Sequence, residues 1–291
     1  MNDLIFSGST GFIGTNLKKT AEINGYKIFE ITRTEVISPA ANPVEHKNDP
    51  IIISEALKNA YKPIFINLAA LFQSNHTPQN ISPLVRSNIE FSTIIFEVAA
   101  IIGSSGILHF GTSWQFSNTG ETDPTNLYAA TKVASESILK FYAKNYKIPS
   151  ATIVMYDTYG PNDNRKKLIP LILESSKNRE SFMMGHGRNP INLSFITDVC
   201  DAIMRAVEAI EKQPKGSHCR WAIRNVETYL VFEVVELIIK KIDPDLKVEF
   251  AEPSQGSQPK SLDESIMVVP HWKPLITLQN GLKITFESEK K

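Results

Sequence analysis

A tyrosine and a lysine four residues apart offer acid–base chemistry in the middle of this 291-residue chain. Tyr128 and Lys132 lie at the start of segment 127–146, whose pattern predicts a helix, so both side chains share one helix face. A free phenol has a pKa of about 10 and is a poor proton donor or acceptor near neutral pH. Because a nearby ammonium favours the phenolate, the spacing predicts an acid–base tyrosine whose pKa a lysine lowers.

A hydroxyl follows a short apolar strand nearby. The run GTSWQ, residues 111–115, comes directly after the predicted buried strand 106–110. Ligands of parallel sheets bind at the carboxyl ends of the strands, where we expect Thr112 to lie. Its hydroxyl can donate a hydrogen bond to the substrate oxygen that Tyr128 protonates. Thr112, Tyr128 and Lys132 are therefore the predicted catalytic residues.

Three glycines near the N-terminus predict a phosphate-binding turn. Gly8, Gly11 and Gly14 follow the predicted strand 3–7 and lead into the predicted helix 12–24. Small residues let the backbone approach a pyrophosphate, and a helix N-terminus supplies free N–H groups and a positive dipole. Because a strand and a helix flank the glycines, as the motif requires, we expect a dinucleotide to bind here.

The end of the second predicted strand, 26–32, bears on which dinucleotide is used. NAD sites usually have an Asp or Glu at this point for the ribose hydroxyls. Here Thr32 is followed by Arg33, whose guanidinium can pair with the 2′-phosphate of NADP. The alternatives are that Arg33 is an ordinary solvated loop residue and that Glu35, two residues on, serves NAD. We expect NADPH, with NAD(H) as the alternative.

Apolar runs alternate with helical patterns through the first half of the chain. Strands are predicted at 3–7, 26–32, 63–68, 106–110 and 150–156, and helices at 12–24, 51–59, 83–102 and 127–146. Continuously apolar strands between helices are typical of a parallel sheet covered on both faces. The predicted fold class is therefore α/β, with a doubly wound parallel sheet.

The pattern changes after residue 160, where turn signals become frequent. Helices are predicted at about 198–212 and 231–242, with connections at 252–256 and 270–274. We expect a dinucleotide-binding domain over 1–160 and a smaller, mainly substrate-binding region over 161–291, interleaved with the first.

Charge and composition limit the classes of partner. Lys+Arg and Asp+Glu both number 31, so a net charge of zero gives no overall attraction to nucleic acid or acidic membranes. No run reaches the roughly 20 apolar residues of a membrane helix, and no signal-peptide pattern begins the chain. Cys200 and Cys219 suit a reducing compartment, and the scattered histidines form no metal pattern. We expect a cytoplasmic protein without a metal.

Taken in order, these motifs resemble the extended short-chain dehydrogenase/reductase family, the NAD(P)-dependent epimerases, dehydratases and reductases of nucleotide sugars. The resemblance spans nearly the whole chain and rests on the glycine turn, Asn67-Leu68-Ala69-Ala70, Thr112, Tyr128/Lys132 and Tyr159-Gly160-Pro161. The segments GTSWQ, NLYAATK (126–132) and YDTYGPND (156–163) look most like reductases of nucleoside-diphosphate 4-keto-6-deoxyhexoses, of the CDP-abequose and CDP-paratose synthase type. The resemblance implies a Rossmann-type fold, a CDP- or dTDP-linked sugar substrate and a homodimer.

The resemblance also implies roles for individual residues. The cofactor would be held by Gly8, Thr10, Gly11, Phe12, Ile13, Gly14, Arg33, Leu68, Ala69, Ala70, Asn88, Tyr128 and Lys132. The substrate would be held by Thr112, Ser113, Trp114, Tyr128 and Asp157. Relatives often have a phosphate-gripping arginine where this chain has Ile191, so Arg165, Lys167 and Arg188 are the predicted substitutes.

Three reactions of this family use the same Thr, Tyr and Lys, and the neighbouring residues distinguish them. A dehydratase follows the Thr with an Asp-Glu pair, because expelling a hydroxyl needs a second acid and base. This chain has Ser113 and Trp114 there, which disfavours a dehydratase and favours a 4-ketoreductase. A 4-epimerase (or 2-epimerase) with tightly bound NAD is the alternative. A nucleotide-binding relative without turnover is disfavoured by the intact Tyr128/Lys132 pair.

Overall fold

The computed structural model describes residues 1–39, 41–117, 119–252 and 262–288. The strands are β1 (Leu4–Ser7), β2 (Ile28–Ile31), β3 (Glu35–Ile37), β4 (Val44–Glu45), β5 (Ile64–Asn67), β6 (Gly106–Thr112), β7 (Ser150–Met155), β8 (Asp157–Tyr159), β9 (Phe182–Met184), β10 (Pro190–Ile191), β11 (Leu193–Phe195), β12 (His218–Ile223), β13 (Tyr229–Leu230) and β14 (Val248–Phe250). The α-helices are α1 (Phe12–Ile23), α2 (Pro50–Ala56), α3 (Ile81–Val85), α4 (Phe91–Ile101), α5 (Leu127–Tyr146), α6 (Leu168–Asn178), α7 (Ile196–Ile210), α8 (Val231–Lys241) and α9 (Leu278–Ser288). A π-helical turn at Arg86–Glu90 joins α3 to α4, and 3-10 turns span Pro78–Asn80 and Ser113–Gln115.

One large sheet organises these elements, with strand order β12–β7–β6–β5–β1–β2–β3–β4. The strands from β12 to β2 pair in parallel, and β3 and β4 extend the sheet in antiparallel fashion at one edge. Three two-stranded ladders, β8–β11, β10–β13 and β9–β14, lie outside it. The predicted α/β class with a doubly wound parallel sheet of Rossmann type is confirmed.

Alternation along the central strands builds two apolar layers, because successive side chains of a strand point to opposite faces. Leu4 and Phe6 of β1 belong to the layer that contains α1 and α7, whereas Ile5 belongs to the layer that contains α2, α4 and α5. All three side chains are fully buried. A strand covered on both faces has to be apolar throughout, which is the pattern that the sequence shows.

The elements predicted in the first half of the chain are present within a few residues of their expected bounds, although the helix predicted at 83–102 starts at Ile81 and contains the π-helical turn. The sequence patterns do not predict α6, β12 or α9. β12 lies in the large sheet beside β7, so the region after residue 160 contributes to that sheet, and the boundary at 160 stays a prediction. The connection predicted at 252–256 lies mainly outside the described residues.

Parallel pairing determines where functional side chains can meet. β1, β5, β6 and β7 run in the same direction, so their carboxyl ends share one edge of the sheet. The glycine turn follows β1, Leu68 follows β5, Thr112 ends β6 and Tyr156 follows β7. These segments are far apart in sequence and converge at that edge.

Within the described ranges, no helix combines the length and the apolar character needed to cross a bilayer.

Gly281 in α9 supplies a test of how tightly the C-terminal helix is packed. A Cβ there would lie 2.2 Å from the Tyr159 hydroxyl oxygen and 2.9 Å from Phe195 Cδ2. Tyr159 is only 1% exposed and cannot move aside freely. We expect Gly281→Ala to lower the free energy of unfolding by about 1–3 kcal/mol, although alanine favours helix. Denaturant unfolding measures this, with Gln279→Ala on the exposed side of α9 as the control; equal stability of both variants would contradict the packing described.

Candidate active site

A cavity of about 570 Å³ opens at the carboxyl edge of the large sheet. It is lined by the glycine turn, the ends of β5, β6 and β7, the start of α5 and the loop before α6. Fifteen of the predicted site residues line it: Gly8, Gly11, Phe12, Ile13, Gly14, Leu68, Ala70, Thr112, Ser113, Trp114, Tyr128, Lys132, Asp157, Arg165 and Lys167. The structure therefore brings the predicted catalytic and glycine residues into one site.

The glycine turn is shaped so that side chains are excluded from two of its positions. Gly8 has a φ of +78°, and a Cβ on it would lie 2.6 Å from the Ala69 nitrogen. A Cβ on Gly14 would lie 2.2 Å from the Gly8 carbonyl oxygen. The N-cap of α1 is Gly11, and no side chain in the described part of the chain caps the helix, so its first N–H groups can bind an anion at the cavity wall.

Lys132 presents a buried cation to the cavity. The residue is 1% exposed, and its Nζ has no hydrogen-bond partner among the described residues. Burial lowers the pKa of Lys132 to about 7. An unpaired buried ammonium is unfavourable, so the site fits a ligand that supplies oxygen acceptors at this point, as a ribose does.

Tyr128 also lines the cavity, but its environment differs from the one expected from the sequence. Burial raises its pKa to about 12, and the charge of Arg165 acts in the opposite direction. The expectation that Lys132 lowers the pKa of Tyr128 is therefore wrong, because that pKa is raised. The physical reason is that burial disfavours the phenolate, and the charge that partly opposes this effect is that of Arg165 and not that of Lys132.

Thr112 ends β6 and begins a short turn that fixes its orientation. Its Oγ1 accepts a hydrogen bond from the Trp114 N–H at 3.3 Å, and its own N–H donates to Gln115 Oε1 at 2.8 Å. Ser113 is buried, and Trp114 is half-buried in the cavity wall. The turn therefore holds Thr112 and Trp114 together at the strand end.

An aromatic and basic wall faces the catalytic residues. The Phe72 ring centroid lies 5.1 Å from that of Tyr128 and 5.7 Å from that of Trp114. Lys167 Nζ lies 3.9 Å from the Phe72 centroid and 3.5 Å from Asp157 Oδ1. This wall has a flat apolar face and a cation, which together suit a sugar ring carrying a phosphate.

Arg165 is engaged mainly by the protein itself. Its Nε and Nη2 donate to the two Asp163 carboxylate oxygens at 2.7 and 2.8 Å, and Nη2 also donates to the Thr158 carbonyl at 2.7 Å. The guanidinium lies 4.5 Å from the centroid of the Phe12 ring. Its first role is thus to hold the loop before α6 against the glycine turn.

Five predicted site residues do not line the cavity: Thr10, Arg33, Ala69, Asn88 and Arg188. Arg33 is exposed in the turn after β2, and Arg188 is exposed in the turn before β10. Asn88 is fully buried and joins the cavity-lining loop to α5, because its amide binds both backbone groups of Leu71 and donates to Thr131 Oγ1 at 3.0 Å. The bracing role of Asn88 and the phosphate contact of Arg188 both stay predictions.

Nine lining residues are not among the predicted site residues, although Gly111, Tyr156 and Thr158 lie within the quoted segments GTSWQ and YDTYGPND: Phe72, Gln73, Ser74, Phe110, Gly111, Met155, Tyr156, Thr158 and Lys166. Phe72 follows the quoted Asn67–Ala70 segment by two residues, and Lys166 lies between two predicted residues, so proximity alone could have indicated both. Among the described residues, no three His, Cys, Asp or Glu side chains come together as a metal site would require.

Comparison with known proteins places this site in a family. Residues 4–220 match the sequence profile of the NAD dependent epimerase/dehydratase family. The CDP-abequose synthase of Yersinia pseudotuberculosis is 23% identical over 209 residues, which cover 71% of this chain and 73% of that protein.

Two solved structures share the fold across almost their whole length. MoeE5, solved in complex with UDP-glucose and NAD, is 18% identical with a TM-score of 0.81, over 99% of this chain and 98% of that one. The UDP-glucose 4-epimerase of Thermotoga maritima, solved with UDP-glucose, is 18% identical with a TM-score of 0.80, over the same shares of the two chains. The family profile covers well over half of the chain and includes the glycine turn, Thr112, Tyr128 and Lys132. As the order of these motifs predicts, the protein belongs to the NAD-dependent epimerase/dehydratase family.

Proposed function

We propose that the protein reduces the 4-keto group of a nucleoside-diphosphate 4-keto-6-deoxyhexose, using NAD(P)H, with Tyr128 as the proton donor. The observation that carries this proposal is the composition of the cavity around Thr112 and Tyr128. Among the described lining residues, the one carboxylate is that of Asp157, which forms an ion pair with Lys167 and so is not available as an additional acid or base. Ser113 and Trp114 stand where a dehydratase needs an acid and a base, and neither side chain does that work.

The cofactor half of the cavity supports a dinucleotide. Gly8, Gly11 and Gly14 leave room for a pyrophosphate at the free N-terminus of α1, and Lys132 Nζ offers its unsatisfied hydrogen bonds to a ribose. When bound, a reduced nicotinamide dinucleotide supplies the hydride for the carbonyl carbon. The NADPH preference rests on Arg33, an exposed cation in the turn after β2 whose guanidinium would pair with a 2′-phosphate.

The protein's own residues handle the proton and the developing negative charge. The raised pKa keeps Tyr128 protonated, so its proton is in place for transfer to the sugar alkoxide, which is a stronger base than a phenolate. Thr112 and Tyr128 both line the cavity and donate hydrogen bonds to the carbonyl oxygen of the sugar. As negative charge grows on that oxygen, Tyr128 transfers its proton to it and Thr112 stabilises the remaining charge. Lys132 then offsets the phenolate that Tyr128 becomes.

The substrate half supports a sugar joined to a CDP or dTDP diphosphate. Trp114 and Phe72 provide flat faces for the sugar, and Lys166 and Lys167 provide cations at the cavity wall. Arg165 is already bound to Asp163, so the lysines carry the proposed diphosphate contact. A CDP-abequose synthase is among the relatives, which supports this substrate class.

A 4-epimerase with tightly bound NAD is the second candidate. It needs the same Thr112, Tyr128 and Lys132, and a UDP-glucose 4-epimerase shares the fold. A homodimer also belongs to the proposal, since the outer surfaces of α4 and α5 expose large apolar side chains: Ile101, Phe141 and Tyr146.

Nucleotide-sugar turnover tests the function directly. We expect the purified protein to oxidise one NADPH for each CDP- or dTDP-linked 4-keto-6-deoxyhexose, followed by the absorbance of the reduced nicotinamide and by product chromatography. NADPH should be used in preference to NADH, and Arg33→Ala should remove this preference, with Lys62→Ala as the control. Isomerisation of a sugar nucleotide with catalytic NAD and no net oxidation would establish the epimerase instead.

Tyr128→Phe removes the proposed proton donor and leaves the ring in place. We expect turnover to fall by about a thousandfold, because general acid catalysis contributes about 10²–10⁴ to such rates. Cofactor affinity, measured by nicotinamide fluorescence, should change little. The exposed-ring variant Tyr61→Phe is the control. Near-normal turnover in Tyr128→Phe would remove this tyrosine from the mechanism.

Lys132→Met tests whether the buried ammonium is unfavourable in the free protein. The pKa of Lys132 falls from 10.5 to about 7 on folding, so between those values only the unfolded state holds the proton. Wild-type stability should therefore rise with pH from about 7 to 9, and Lys132→Met should lack this contribution. At pH 7 the variant should be more stable by about 2–4 kcal/mol, which corresponds to several degrees in Tm. Thermal unfolding without cofactor measures both effects, with Lys144→Met as the exposed control on the same helix; a less stable Lys132→Met would contradict the prediction.

A further inference from the structure

Gln115 lies directly behind Thr112, and its side chain faces away from the cavity. It is fully buried and is not among the cavity-lining residues. Its Oε1 accepts the Thr112 N–H at 2.8 Å, and its Nε2 donates to Glu136 Oε2 at 3.2 Å. One amide thus joins the end of β6 to the middle of α5.

Glu136 fixes the direction of that amide. Its Oε1 accepts from Arg220 Nε at 2.6 Å, Lys140 Nζ at 3.1 Å and His218 Nε2 at 3.3 Å. Burial would raise the pKa of Glu136, but the hydrogen bonds from His218 and Arg220 outweigh it and hold the pKa at about 2. An ionised carboxylate only accepts hydrogen bonds, so the NH₂ group of Gln115 has to face Glu136 and its oxygen has to face Thr112.

A glycine at the end of β6 leaves room for the Gln115 side chain behind Thr112. A Cβ on residue 111 would lie 2.4 Å from Gln115 Oε1, and that residue is Gly111. Glu136 lies four residues after Lys132 on α5, and Lys132 lies four after Tyr128. The bridge therefore runs from the backbone of Thr112 to the helix face that carries Tyr128 and Lys132.

We propose that Gln115 is a positioning residue, which, through its bridge to Glu136, sets the separation between the hydroxyls of Thr112 and Tyr128. Those two hydroxyls have to meet at a single carbonyl oxygen, and small errors in such a gap are costly for turnover. Arg220 and His218 of β12 extend the anchor to a third element, so Glu136 cannot shift without breaking several bonds. The effect on kcat rests on the proposed function, whereas the effect on hydrogen exchange of the Thr112 amide rests on the geometry alone.

A polarity swap tests the bridge. In Gln115→Glu, two carboxylates face each other and repel. In Glu136→Gln, the single remaining oxygen can accept either from the Gln115 amide or from Arg220, and the other donor loses its acceptor. In the double variant, the new carboxylate at position 115 would accept from the Thr112 N–H and from the new amide at position 136, whose oxygen would accept from Arg220 and Lys140. We expect each single variant to lose about 10- to 100-fold in kcat with KM for the sugar nucleotide little changed, and the double variant to return to within a few-fold of wild type. Gln213→Glu, in the turn after α7, controls for an added carboxylate.

Hydrogen exchange of the Thr112 amide supplies a readout that needs neither cofactor nor substrate. Gln115→Met keeps the volume, removes both hydrogen bonds and guards against a single variant that fails to fold. We expect at least about tenfold faster exchange at residue 112 in Gln115→Met and wild-type protection in the double variant. If kcat is unchanged in the single variants, or if the double variant restores neither kcat nor protection, the proposal is overturned. If wild type shows amide protection as described but reduces no keto sugar, the proposed function fails and the bridge stands.

Discussion

The burial of Lys132, whose ammonium has no hydrogen-bond partner among the described residues, is the constraint on which the site depends. This placement is unfavourable, so packing along the rest of α5 has to offset it. The helix buries Leu139 and Tyr142 in one apolar layer, and Asn126 caps its start by accepting the Ala129 N–H at 2.8 Å. Packing elsewhere thus offsets the unfavourable placement of one cation, and the cation is ready for a ligand oxygen before the ligand arrives.

Glu136, one turn further along the same helix, shows why the two buried charges behave differently. Both residues are almost inaccessible to water, so burial penalises the charged form of each. Glu136 receives hydrogen bonds from Arg220 and His218 and keeps its charge, with a pKa lowered to about 2. Lys132 Nζ has no acceptor to donate to among the described residues, and burial lowers its pKa to about 7. Hydrogen-bond partners, and not the extent of burial, therefore decide whether each side chain keeps its charge. Helix α5 carries an ionised Glu136 in its middle and, at the cavity, a Lys132 that titrates near neutral pH.

Much of this arrangement could be predicted from local pattern, and the remainder depends on contacts between distant segments. Apolar strands and the glycine spacing indicate the sheet and the dinucleotide turn because their physical requirements are local. The raised pKa of Tyr128 depends on neighbours from several loops, so the i,i+4 rule alone gives the wrong direction. The sequence does not indicate α6 because Pro170 lies in its first turn. It does not indicate β12 because the polar His218 and Arg220, which bind Glu136, interrupt the apolar pattern of that strand. The Gln115–Glu136 contact spans 21 residues and has no periodic signal.

The four residues after Gly111 face two different environments at the end of β6. Thr112, Ser113 and Trp114 line the cavity, and the Gln115 side chain is buried behind them and donates to Glu136. The Trp114 N–H binds Thr112 Oγ1, so the turn that presents the hydroxyl also sets the position of the indole. Under the proposed function, a second acid and base would have to enter through positions 113 and 114. Because Gln115 fixes this turn from behind, a change of reaction requires new side chains at those two positions and not a new backbone.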